Sequence, residues 1–348
     1  MKLQSVSSLL FLSMCVSSVT IAAAPNIKIA GTIPATVQLN QNLAKRSLAA
    51  GTVSPSTKLI SLEKVELSSE AQTYLANQAD KLAQKDEKGF LFAAAAPSSL
   101  PPSAFLGMNN VPVLDQGAHG ACVTFADTGA IDAIRGNTDY VSQLCNLELG
   151  SYLEEEYAKK GVEYPSGWEG SLNEIVLGQI QKYGVVNMTV QRNQGCGNKE
   201  KVLKEYPLND AANTGVPMSD TDFARKSEPI MKDIYWKVLL SANDAFSSRA
   251  NMDNVVKNIK QSIVNGHRVV FGTLLDVNDE LKYNNGATGT YRGTSNDSWV
   301  VTAKIQKDAK AKKIRAGHAM IITGYDDNAE ITGSDGKKHT GAFTLRNS

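Results

Sequence analysis

Hydrophobic and polar positions divide this chain into stretches of unequal regularity. Residues 7–24 form an apolar and small-residue run behind a short start carrying Lys2. Residues 67–86 set Ala71, Leu75 and Leu82 on one stripe, with Ser68 or Ser69 as cap, and predict one helix. Phe90-Leu91-Phe92, four alanines and the Pro/Ser stretch through Pro102 read as an exposed apolar patch and a linker. Beyond Pro102 the pattern tightens. A glycine-punctuated loop over 113–122 runs into a helix whose apolar face is Phe125, Gly129, Ala130, Ala133 and Ile134, stopped by Gly136. Leu172, Ile175, Val176 and Ile180 predict a helix that ends at Gly184, and residues 253–264 predict another. Residues 268–275 read as a strand, and 319–325 as a strand-like apolar run opened by His318.

Composition narrows the class. With 348 residues, 42% hydrophobic and 20% charged, the chain is globular and long enough for one large or two ordinary domains. A net charge of 36 − 35 = +1 gives no global reason to expect a nucleic-acid or membrane-surface partner. Four cysteines are too few for a disulfide scaffold. The basic start, apolar run and small-residue exit of residues 1–24 match a cleaved secretory signal, with the cut near 22–24. A membrane anchor and a lipid-attached Cys15 are the alternatives; the run is short for a span, and no second long apolar run follows. The expected setting is secreted, periplasmic or extracellular, without a membrane span after signal removal. There Cys122, Cys145 and Cys196 remain, one of them unpaired unless it bonds to another chain.

The reactive residues follow from position. Cys122 sits at or beside a helix N-terminus, where free amides and the positive dipole end favour the nucleophilic thiolate; a small buried hydrophobe is the plainer reading. A nucleophilic cysteine needs a base. His267 follows an Asn-Gly turn and His339 lies in a polar loop, both read as solvated. His318 opens a strand after Gly317 and is placed to project into a cleft. His119, three residues before Cys122, is its rival, or half of a metal pair with the thiol. No tight cluster of further ligands at zinc spacing accompanies it, so no metal and no cofactor are expected.

These residues carry a resemblance. The segment from Pro112 through Gln116, Gly117, Gly120 and Cys122 to Phe125 resembles the nucleophile loop of the papain and cathepsin family of cysteine peptidases. Gly317-His318-Ala319 through Gly324-Tyr325-Asp326 resembles its histidine strand, in wording closest to bacterial members, and Leu345-Arg346-Asn347-Ser348 its asparagine motif. The likeness covers about residues 100–348. It implies an α+β, two-lobed fold, with a helical lobe over about 107–205, a β-rich, barrel-like lobe over about 206–348, and the active cleft between them. It implies Cys122 as nucleophile, His318 as base and later acid, Asn347 holding the imidazole, and Gln116 donating to the oxyanion. Gly167-Trp168-Glu169-Gly170-Ser171 resembles the glycine-rich wall of the substrate cleft. Trp168, Glu169, Gly170, Ser171 and Gly317 are therefore the expected substrate-binding residues. Cys145 and Cys196 resemble a family disulfide. A second family bridge is absent at both ends, its positions being His119 and Trp168, so His119 becomes a packing or cleft-rim residue.

The function implied is a secreted cysteine endopeptidase made as a zymogen, acting on peptide or protein substrates. The alternative is a catalytically silent binding protein on the same fold, and a transferase or isopeptidase is a smaller residual. Residues 25–99 hold the place of an inhibitory pro-segment, although the family's usual helical pattern is missing there. The expectation is that Phe90-Leu91-Phe92 and the preceding helix obstruct the cleft until cut near 93–99. Cys122 and His318 lie 196 positions apart (318 − 122), against the family's about 130–150. Segments 200–249 and 295–315 read as insertions. The second, with six Lys/Arg against Asp297 and Asp308, is either a solvated hairpin or a basic cleft rim selecting acidic peptides. Because family members continue past the Asn-Ser pair, the sequence is expected to be a piece of a longer protein.

Overall fold

The computed structural model describes residues 26–38, 57–86, 100–136, 139–230, 234–247, 251–277, 288–290, 297–333 and 338–347. The expected signal segment, Cys15, Phe90-Leu91-Phe92 and Ser348 lie outside the described residues. In chain order the elements are β1 (Ile27–Gln38), β2 (Thr57–Leu67), α1 (Ser69–Asp86), β3 (Ser103–Phe105), α2 (Cys122–Arg135), α3 (Gln143–Ala158) and α4 (Asn173–Tyr183). Then follow α5 (Met188–Gln194), β4 (Cys196–Gly197), β5 (Val202–Leu203), α6 (Asp220–Ala224), α7 (Ala242–Ala245) and α8 (Met252–Val264). The last are β6 (Val269–Leu275), β7 (Thr288–Thr290), β8 (Asp297–Trp299), α9 (Ala303–Lys310), β9 (Ala316–Gly333) and β10 (Lys338–Arg346). The architecture is mixed helix and sheet.

The sheet hangs on β9, an 18-residue strand whose successive stretches take different antiparallel partners. Its first residues pair with β2 (Glu63 opposite Gly317) and with β6 (Thr273 opposite His318). Further along it pairs with β3, β10 and β7. β3, β6 and β10 thus branch from one strand instead of following one another round a ring. Among the described residues the sheet is open, and the barrel-like second lobe expected from the sequence does not close.

The leader adds more than the one helix expected of it. Ser68 Oγ accepts from the Ala71 amide at 3.1 Å and caps α1, whose Ala71 and Ala79 are buried. β1 and β2 precede it as an antiparallel pair. They escape a periodicity reading because β2 mixes apolar and polar residues on both faces (Ser61, Glu63 and Val65; Ile60, Leu62 and Lys64), while β1 carries Gly31 and Pro34. Pro34 is tolerated because β1 is the edge strand. Ile33, Ala35, Ile60 and Leu62 form a buried cluster with Leu275 of β6 and Ala316 of β9. At about 1.5–3 kcal/mol per large side chain, that burial ties the leader strands to the body.

Two helices frame the site. α2 buries Val123, Ala126, Ala130 and Ile131 against Val176 and Ile180 of α4 and Ala319 and Ile321 of β9. Gly136 ends it at φ 69°, a left-handed position that suits glycine. α9 corrects the hairpin reading of the basic segment. Residues 303–310 are helical, capped by Thr302, and pack on α1 through the Lys310–Asp80 ion pair.

Candidate active site

Cys122 is the first residue of α2 and fully buried. Ala121 supplies no side-chain cap, so the helix end keeps free amides beside the thiol. The Val123 amide and, from β9, the Ala319 amide both favour the thiolate. The outcome is nevertheless opposite to the sequence expectation: burial, and then the Glu63 carboxylate beside it, push the Cys122 thiol well above its ordinary range. The helix terminus is present as expected, but a closed, acidic environment outweighs it.

His318 immediately precedes Ala319 and is buried. Its Nε2 lies 2.6 Å from Asn347 Oδ1. That oxygen can only accept, so Nε2 carries the proton and the buried Nδ1, which has no hydrogen-bond partner among the described residues, keeps its lone pair. Burial lowers the imidazole below its usual range, and Asn347 opposes this only in part. The ring is held as a neutral base.

Gln116, on the loop before α2, is wholly buried. Its Nε2 donates to the carbonyls of His119 and Ser61, each at 2.9 Å. Ser61 belongs to β2, and its Oγ donates to the Ala118 carbonyl at 2.8 Å. Two residues on, Glu63 Oε1 accepts from the Ser171 amide at 2.8 Å, and the same carboxyl hydrogen-bonds the Cys122 thiol. Three sequence-distant motifs therefore meet on one stretch of the leader. Residues 61–63 cover the Gln116 amide, the Cys122 thiol and the wall at Ser171, while the strand pairs with Gly317. This differs from the obstruction expected of the helix before Phe90, while Phe90-Leu91-Phe92 itself lies outside the described residues. α1 rests on α9, and the contact with Cys122 comes from β2. Nothing in the pattern around Glu63 marks it; its signal is a strand pairing across some 250 residues.

The expected wall divides in two. Gly170 sits at φ 129°, and a Cβ there would lie 2.8 Å from Ile29 Cγ2 and 2.9 Å from Glu63 Cγ. A Cβ on Gly317 would lie 2.7 Å from Val65 Cγ2. Gly170, Ser171 and Gly317 thus line the groove in which the leader lies. Glu169 is exposed at its rim. Trp168 stands apart: it is buried, with its ring against His119 (centroids 4.7 Å apart) and stacked on Tyr206 (5.6 Å). His119 Nε2 lies 2.8 Å from the Pro207 carbonyl, so its ring fastens the loop before α2 to the segment at Pro207. The sequence reading missed Tyr206, whose hydroxyl donates to the Gln116 carbonyl at 2.8 Å. It lies in what reads as an insertion, yet it buttresses the loop.

Cys145 and Cys196 are joined by a disulfide with Cα atoms 5.0 Å apart, and Cys122 is free. His267 occupies the expected turn after α8, against Tyr235. His339 lies on β10, opposite Ile331, instead of in a loop. Among the described residues no group of three His, Cys, Asp or Glu is arranged to hold a metal. Nor is any helix there long and apolar enough to cross a membrane.

No family model matches the chain, and no curated protein matches it. Among solved structures, the proform of the Amb a 11 cysteine protease, a major ragweed pollen allergen, aligns at 15% identity and a TM-score of 0.32, covering 78% of this chain and 63% of that one. The cysteine protease and lectin-like domains of Cwp84, a surface-layer-associated protein of Clostridium difficile, align at 15% identity and a TM-score of 0.35, covering 92% and 55%. The chain spans less than two thirds of the length of either solved chain, and likenesses this distant assign no family.

Proposed function

We propose that this chain is a secreted cysteine endopeptidase held latent by its own leader, with a papain-like two-lobed arrangement around the cleft. One observation carries the reading: residues 61–63 lie extended over Cys122, Gln116 and Ser171 and pair with β9 beside His318, along the path a substrate backbone would take. In the mechanism proposed, leader departure lets water and substrate reach Cys122. His318 Nδ1 takes the thiol proton, and the sulfur attacks the scissile carbonyl. Gln116 Nε2, freed from Ser61, and the Cys122 amide donate to the oxyanion; one such donor is worth about 10²–10³ in rate. The imidazolium then protonates the leaving amine, and water releases the acyl group by the same base. Asn347 keeps the ring's orientation throughout. The Cys145–Cys196 disulfide supports an oxidising destination.

A second reading has its own observation. With Cys122 buried and its thiol raised, the chain as it stands is chemically quiet, as a silent binding protein of this fold would be. The test is limited proteolysis of the full chain within residues 87–99, followed by a vinyl-sulfone thiol probe and peptide hydrolysis. Labelling of Cys122 and hydrolysis after cleavage, both absent in Cys122→Ala, are expected. No labelling and no hydrolysis would establish the binding protein instead.

A further inference from the structure

Resting on that reading of the leader, a further inference concerns what governs its release. Glu63 is only 5% exposed, so its charge state cannot be left to solvent. It faces Thr32 on β1, Gly317 on β9, Gly170 and the Ser171 amide on the wall, and the Cys122 thiol at the start of α2. The titratable groups around it are Cys122, His318 one residue beyond Gly317, Glu169 at the rim, and Lys64 and Glu66 on its own strand. Burial holds His318 toward neutrality. Lys64 is half-exposed and pairs with Glu66 at 3.7 Å. None of these groups sets a positive charge against the Glu63 carboxyl.

We propose that Glu63 is a proton-sensitive latch: as the neutral acid it holds the leader in the cleft, and as the carboxylate it drives the leader out. A buried carboxylate facing a thiol and one amide, with no countercharge, is costly; the neutral acid keeps the same contacts at far smaller cost. Burial accordingly pushes Glu63 from 4.5 up to about 7, with the Ser171 amide and Cys122 thiol opposing only in part.

The direction follows. Below 4.5 the docked and released forms are both protonated, and docking has its full strength. Between 4.5 and about 7 the released form has ionised and the docked form has not, so docking takes up a proton and weakens by up to tenfold per pH unit. Above about 7 the loss is complete, at roughly 10²–10³-fold. The latch opens as pH rises. Its departure also ends the burial that raises the Cys122 thiol, so unmasking and thiolate formation go together.

The test is amide hydrogen exchange of residues 57–67 in the full-length chain from pH 5 to 9, corrected for intrinsic exchange and referenced to α3. Protection in the wild type should fall at least tenfold between pH 5.5 and 7.5. Glu63→Gln, isosteric and unable to ionise, should keep it without a step, and Glu63→Ala should lose protection at every pH. Protection unchanged from pH 5 to 9, or an identical step in Glu63→Gln, overturns the latch alone. Absence of protection even at pH 5 overturns it together with the leader reading. The readout needs no catalysis, so a silent enzyme and a failed latch give different results.

Discussion

His119 and Trp168 meet edge to face, ring centroids 4.7 Å apart, at the two positions where the resemblance would set a disulfide. The covalent tie is replaced by an aromatic one, extended by Tyr206 and fastened by the Pro207 carbonyl on His119 Nε2. His119→Ala should empty that contact and lower global stability by about 2–4 kcal/mol. Urea unfolding of the full chain measures it; an unchanged midpoint would show that the pair anchors nothing.

Leu62 is fully buried among residues of the leader, β6 and β9. Leu62→Ala should weaken leader docking by about 2–5 kcal/mol while leaving α2–α5 folded. The expected reading is faster iodoacetamide alkylation of Cys122 at pH 6 in the full-length variant than in wild type. Equal rates would mean that this cluster does not hold the leader.

The fold and site were legible in the sequence wherever the determinants were local. Gly136 and Gly184 stop their helices as read, Ser68 caps α1, and the glycine loop delivers Cys122 to a helix start. What escaped is non-local. Glu63 acquires its surroundings only when β2 finds β9 far along the chain, and the hydrophobic alternation of β2 is mixed because one of its faces meets a polar cleft. The ionisation state of Cys122 escaped for the same reason: the sequence shows the helix end but not the carboxylate laid upon it.

Asn347 is exposed, yet it is the residue that fixes the His318 ring. Asn347→Ala should lower kcat of the leader-free enzyme by about tenfold to a hundredfold, the equivalent of about 1.4–2.7 kcal/mol, with KM little changed. Steady-state peptide hydrolysis distinguishes this from a binding defect, in which KM alone would rise.

Glu148 of α3 is buried under the loop at Gly215, and burial pushes its carboxyl up to about 8, with the Val216 amide and Lys201 opposing in part. A raised acid stabilises the fold at low pH, and that contribution is lost as pH climbs through about 8. Glu148→Gln should therefore flatten the loss, leaving the variant more stable than wild type at pH 9 by up to roughly 4 kcal/mol. Urea midpoints at pH 6 and 9 decide it; equal slopes in both proteins would refute the assignment.

The short ladder between β2 and β9 has one more consequence. At Ala316 and Gly317 the strand that carries His318 is paired on both sides, by β2 and by β6. Removing the leader takes away a strand and leaves an open row of backbone donors and acceptors beside the imidazole. Such an edge recognises extended main chain before it reads any side chain. The freed chain would then bear an adhesive seam at its working face, one that substrate, a second copy or its own severed leader can zip into.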